Sequence, residues 1–168
     1  MFVLGIDPGL TATGYGLVRS GHPLRAVAAG VIRTSPGLAI GERLAHLHRC
    51  LAELLAEHRP DAISVESVFT NRNLNTAISV GRASGVAILA AAQAGLEVTE
   101  YAPTAVKSAV TGDGSADKKA VAAMVARLLG LSAPPTPADA ADGLAVALCH
   151  LRSAPLQAQT RRIMGGRR

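Results

Sequence analysis

Two short apolar runs in this chain each finish on a carboxylate. Residues 2–6, FVLGI, lead into Asp7, and residues 61–66, DAISVE, finish on Glu66. Short apolar runs bounded by turn signals read as buried strands, and Pro8-Gly9 breaks the chain directly after Asp7. Such a chain carries acids to the ends of buried strands, at the edge of a core. It must then give them partners, because an unpaired charge near buried surface is among the costliest features a fold can hold.

The rest of the chain supplies a frame for these strands. Residues 13–19 and 24–33 are strand candidates rich in Gly and Val, with a turn at Gly21-His22-Pro23 between them. The domain therefore opens with three strands in an antiparallel meander. Residues 39–58 form an amphipathic helix, with Leu44, Leu47, Leu51, Leu54 and Leu55 at helical spacing and Pro60 ending it. The spacing next predicts a helix over 73–94, striped by Leu74, Ile78, Gly81, Gly85, Ile88 and Ala92. Its two interior glycines each cost about 1 kcal/mol against alanine. Small residues on that stripe imply a close neighbour, either the domain's own sheet or a second subunit. A strand over 97–101, a short helix opened by Pro103 and carrying Lys107, a helix over 115–129 capped by Ser115, and a last helix over 138–151 follow. The order gives an α/β domain with a mixed central sheet flanked by helices.

Length and charge set the limits. The 168 residues suit one domain over 1–152, with a basic, flexible tail expected over 153–168. Residues 1–149 hold 12 Lys+Arg and 12 Asp+Glu, so the net charge of +5 comes from five arginines after that point, Arg152, Arg161, Arg162, Arg167 and Arg168. No uninterrupted apolar run reaches the roughly 18 residues of a membrane span. The start, MFVLGIDPG, lacks the basic region of a signal peptide. Two cysteines without metal-ligand spacing suit a reducing cytosol, so a cytoplasmic, membrane-free protein is expected.

Two further acids, Asp139 and Asp142, sit three apart at the start of the last helix and share one face of it, ahead of the apolar run GLAVALC. Taken singly, Asp139 fits a helix cap, Asp142 a first-turn charge and Glu66 an edge-strand charge. Together with Asp7 they make four carboxylates near buried surface, which stay ionised only beside cations. Oxygen-only ligands favour hard metals, Mg²⁺ or Mn²⁺. A pair of such ions, about 3.5–4 Å apart, is the template for phosphodiester hydrolysis. The lysines add to this. The chain has fourteen Arg and only three Lys, and Lys107, Lys118 and Lys119 all fall in one stretch. Lysine suits phosphate binding without fixed geometry. His46 and His48, two apart on a helix, make a poor metal pair, and with His150 they read as structural or surface residues.

These motifs resemble one family. GIDPGLTATGYGLV, VESVF, GRASGVAILAA, EYAPTAVKSAVTGDGSADKKAV and ADAADGLAVALCH occur in the order found in the RuvC-type Holliday junction resolvases and cover the chain short of its tail. The resemblance implies a ribonuclease H-like fold and a homodimer that nicks two opposed strands of a four-way DNA junction in recombination and repair. It implies Mg²⁺, two ions per active site, with Mn²⁺ as a substitute, and a helicase motor for branch migration as a further partner. Asp7, Glu66, Asp139 and Asp142 match the family's metal-binding acids, and Lys107 and Lys118 match basic positions near the DNA backbone. Phe69 matches an aromatic beside the junction's bases, where stacking is worth roughly 1–3 kcal/mol. A core-filling role is the alternative for Phe69. Arg72, Arg82 and Lys119 are candidate phosphate contacts, or else solvated helix charges.

Two rival functions compete with this one. An actin-like ATPase opens with a similar hairpin but needs a second domain. A non-catalytic or RNA-directed relative of the same fold would be expected to lack one or more of the acids, and none is missing.

Overall fold

A computed structural model describes residues 1–67 and 74–165, with residues 154–165 given as backbone helix only. Ten elements run in the order β1 (Phe2–Asp7), β2 (Ala12–Arg19), β3 (Arg25–Arg33), α1 (Ile40–His58), β4 (Ala62–Glu66), α2 (Leu74–Gln93), β5 (Val98–Tyr101), α3 (Pro103–Thr111), α4 (Lys118–Leu129) and α5 (Ala138–Gly165). The strands form one sheet in the order β3-β2-β1-β4-β5. The first three are antiparallel, and β4 and β5 add in parallel beside β1. This is the expected mixed sheet, with the acid-tipped strands at its centre.

The two-residue period of the strands sorts the side chains into two cores. On one face, Phe2, Leu4 and Ile6 of β1 and Ile63 and Val65 of β4 pack under α1 and α2, against Leu47, Leu51, Leu55, Ala83, Ala87 and Ala91. On the other, Val3 packs under α3, α4 and α5 with Val106, Val121, Val125, Leu144 and Leu148. Parity then places Asp7, with Val3 and Gly5, on the α5 face. Glu66 shares that face with Ser64, whose hydroxyl donates to the Val146 carbonyl at 3.2 Å.

Helix α5 lies unusually close to the sheet. A Cβ on Gly16 would sit 2.5 Å from the Leu144 nitrogen and 2.6 Å from its Cα. One on Gly5 would meet the backbone of Gly143 and Ala147, one on Gly14 the Asp139 carbonyl, and one on Gly143 the backbone of Tyr15. Four glycines thus form a seam on which a helix rests directly on β1 and β2, and the run from Leu144 to Cys149 is buried along it.

Two expectations need correction, and a third, open between two neighbours for the α2 glycines, is narrowed. Helix α4 starts at Lys118, and its N-cap is Asp117, whose carboxylate accepts from the Ala120 N–H at 2.7 Å. Ser115 is held back in the preceding turn by Asp113, which accepts from both its N–H and its hydroxyl. The last helix does not stop at residue 151 but continues to Gly165, so no break in secondary structure marks a boundary at 152. The interior glycines of α2 do not approach the sheet, since nothing lies within 4 Å of a Cβ on Gly81 or Gly85. The small residues that do press inward are Ala83, Ser84, Ala87, Ala90 and Ala91. By length and composition α2 is long and apolar enough to cross a membrane, but that inward face belongs to the core under the sheet.

The seam predicts an asymmetry among glycines. Gly16→Ala should destabilise the fold by about 3 kcal/mol, since backbone rather than a side-chain tip must move. Gly41→Ala on α1, with nothing within 4 Å, should be neutral or gain about 0.5–1 kcal/mol. Urea unfolding of both variants measures the difference, and equal effects would contradict the seam.

Candidate active site

Strand register brings the first two acids together. Ile6 pairs with Val65 in the parallel ladder, and Asp7 and Glu66 come one residue later on the same face. Asp7 also pairs with Gly14 across the antiparallel ladder. Because Gly14 has no side chain, the first turn of α5 can settle there, which carries Asp139 and Asp142 toward the strand ends.

Asp7, Glu66 and Asp142 line one cavity of about 70 Å³ with Lys107 of α3 and Lys118 of α4, room for a few water-sized occupants. Its walls are Pro103, Val106, Val121 and Ala145. Asp139 is not among the lining residues, although its charge acts on Asp7. One turn before Asp142, its backbone presses on Gly14 while its side chain remains partly exposed.

The acids disturb one another. Burial, then the charges of Asp142 and Asp139, push Asp7 up to about 6. Burial, then Asp7 and Asp142, push Glu66 up to about 7. Lys118 opposes both shifts, and Lys107 opposes that of Glu66. The Lys118 ammonium donates to Asp142 Oδ2 at 2.8 Å, the only ion pair in the cavity among the described residues. That bond, with the nearby acids, raises the lysine's own pKa.

A divalent cation fits this donor set. The donors are all oxygen, two are held toward the neutral form by burial and like charge, and a cation already sits against the third. Among the described residues, no group of three such donors is drawn together tightly enough to hold a metal as they stand.

Other expected residues fall elsewhere. Lys119 and Arg82 are exposed, on α4 and α2 and outside the cavity lining. Phe69 and Arg72 lie outside the described residues. His150 is buried and hydrogen-bonded through Nδ1 to the Tyr101 hydroxyl at 3.1 Å, and burial pushes its pKa below the ordinary imidazole value. His46 and His48 contact Cys50 and Gln93 respectively, so they do not form a pair. Sequence reasoning missed the Lys118–Asp142 bond, which joins residues 24 apart and leaves no local signal.

The family model for the crossover junction endodeoxyribonuclease RuvC matches residues 3–150. The chain belongs to this family. The RuvC of Salinispora arenicola is 54% identical over 153 residues, covering 90% of this chain and 87% of that protein. The structure of Thermus thermophilus RuvC superposes with a TM-score of 0.86 at 40% identity, covering 94% of this chain and 97% of that one. The same protein in complex with Holliday junction substrate gives a TM-score of 0.85 at 38% identity, covering 93% and 96%. The mixed sheet described above is thus the ribonuclease H-like fold of the RuvC resolvases.

The raised carboxylates predict a pH dependence. Asp7 and Glu66 hold protons more tightly in the folded chain, at about 6 and about 7, than at their ordinary values of 3.8 and 4.5. Their contribution to stability is therefore full below about pH 4 and is lost as pH rises through 6 to 7, on the order of 3 kcal/mol for Asp7. Urea midpoints in EDTA should fall between about pH 5 and about pH 8, and Asp7→Asn should flatten the decline. Millimolar Mg²⁺ should restore stability at the higher pH far more than at the lower. An equal Mg²⁺ effect at both would remove the carboxylates as its cause.

Proposed function

We propose that Asp7, Glu66, Asp139 and Asp142 hold the divalent cations of a Holliday junction resolvase, and that Lys107 and Lys118 grip the DNA backbone beside them. As a RuvC-family member the chain is an endodeoxyribonuclease, a hydrolase of phosphodiester bonds that resolves Holliday junctions in DNA recombination and repair. Nucleases of this family depend on divalent metal. The observation that carries the residue assignment is the meeting of three acids and two lysines, from five different elements, around one small cavity. The ATPase and the non-catalytic readings find no support beside it.

Each group has a task that follows from its place. Asp7, at the end of the central strand, would hold two Mg²⁺ ions together with Glu66, Asp139 and Asp142. Mn²⁺, with the same preference for oxygen, substitutes. When bound, the ions supply activation of the attacking water and neutralise charge on the leaving oxygen. Lys107 and Lys118 hold the phosphate in line. The apolar walls, Val106 and Val121 among them, limit water at the reacting centre. Lys119 and Arg82 serve as outer phosphate contacts, with Arg72, and Phe69 meets the junction's bases.

A homodimer matches a two-fold junction and accounts for paired nicks. The outward stripe of α2 supports it as the contact. Leu74 is 76% exposed and Ile78 43%, Gly81 and Gly85 meet nothing within 4 Å, and Ile88 is 37% exposed. A helicase motor that drives branch migration is the further partner, and the cytoplasm, where the free thiols of Cys50 and Cys149 stay reduced, is the compartment.

Two experiments test this reading. Asp7→Asn should cut a four-way junction in Mg²⁺ on the order of 10²-fold more slowly or worse, while binding it nearly as well. Unimpaired cutting would sink the four-acid site. In sedimentation at micromolar concentration the wild type should run as a dimer and Ile78→Asp as a monomer whose nicks are no longer paired. A monomeric wild type would overturn the α2 contact.

A further inference from the structure

The acidic cavity already contains a cation, and that cation is able to leave. Lys118 donates to Asp142 Oδ2 at 2.8 Å, yet its own side chain is 76% exposed whereas that of Asp142 is 18% exposed. The backbones on both sides are fixed. Val121 and Val125 anchor α4 in the core, and Leu144, Ala145 and Val146 anchor α5. The bond can therefore open by rotation of the lysine stem, four carbons long and largely in solvent, the freer of the two partners. Lys118 also opposes the mutual repulsion of Asp7 and Glu66, so this single ammonium serves three carboxylates. A divalent ion ligated by those carboxylates brings twice the charge to the same place and makes the ammonium a like charge beside it.

Resting on the assignment of Asp7, Glu66 and Asp142 as metal ligands, we infer that Lys118 is an exchangeable counterion. It holds Asp142 in the metal-free protein, is released when the divalent cation enters, and then engages a phosphate of the bound DNA. Lys118 is on this account a positioning residue that couples two binding events. The coupling is reciprocal. Metal frees the lysine for DNA, and DNA, by taking the lysine, removes the competitor for Asp142. Lys107 lines the same cavity without an ion pair among the described residues, so it has no such bond to exchange.

The composition makes this directly observable, because the chain has only three lysines. Protein labelled with ¹³C at lysine Cε should give three side-chain signals, with that of Lys118 assigned by its loss in Lys118→Met. Titration with Mg²⁺ alone, without DNA, should move the Lys118 signal to the position of a free lysine, with the midpoint that calorimetry gives for metal binding. A four-way junction should then shift it again. Lys118→Met should bind Mn²⁺ roughly fivefold more tightly or better, while Lys119→Met, an equal loss of charge on the next residue, should change affinity by less than about twofold. Added junction should tighten Mn²⁺ binding in wild type by more than in Lys118→Met. An unmoved Lys118 signal while Mg²⁺ binds, or equal effects of the two methionine variants, would overturn the exchange and leave the metal site intact. Absence of divalent binding in every form would instead overturn the four-acid site, and the exchange with it.

Discussion

The contact between α5 and the two strands beneath it governs the rest of the molecule. Helices normally stand off a sheet by the depth of their side chains. Here Gly5, Gly14, Gly16 and Gly143 remove that depth, and backbone meets backbone. The first turn of α5 is thereby lowered onto the end of β1, where Asp7 waits. An alanine at any of these positions would lift the helix and carry Asp139 and Asp142 away from Asp7. The seam is a stability device and a positioning device at once, so its glycines and the acids are parts of one arrangement.

The acids are in turn a local conflict that the frame sustains. Asp7 and Glu66 are brought together by strand register, one residue beyond the Ile6–Val65 pair that ends the ladder between β1 and β4. Burial and repulsion hold both toward the neutral form. The cost is bearable because apolar layers lie on both faces of the sheet, with Leu4, Ile6, Ile63 and Val65 fully enclosed. Lys118 lowers the cost in the metal-free protein, and a divalent ion would lower it further. On the proposed assignment, the same groups that make the chain less stable at neutral pH without metal would give it affinity for metal.

Much of this was legible in the sequence for a physical reason. A strand has a period of two, so the step from FVLGI to Asp7 fixes which face receives the acid once the apolar face is known. The same parity holds from AISV to Glu66. The mixed sheet followed from three opening strands and the later alternation of helix and strand. What escaped depended on tertiary choice. Ser115 and Asp117 are both good caps, and only the prior claim of Asp113 on Ser115 decides between them. The continuation of α5 past residue 151 has no signal in the arginine-rich composition of that segment. The stripe of Leu74, Ile78, Gly81, Gly85 and Ile88 was visible, but periodicity cannot say whether a stripe faces in or out. The inward face of α2 proved to be the alanine face beside it. Asp139 was grouped with Asp142 by helical spacing, yet one turn of helix is enough to leave it outside the cavity lining.

The outward stripe and the acidic cavity are closely tied along the chain. Leu74 follows Glu66 by eight residues, a separation that extended chain spans in at most about 29 Å. A dimer formed through α2 would set the distance between its two cavities through the core, because the inner face of α2 packs with β4 and one short connection joins them. Phe69 and Arg72, the residues assigned to the junction's bases and backbone, fall within that connection. Paired cutting of a two-fold substrate requires both sites to be correctly spaced at the same time. That requirement would fall on the packing of α2 against the sheet, which holds the outward stripe in a fixed relation to Asp7 and Glu66.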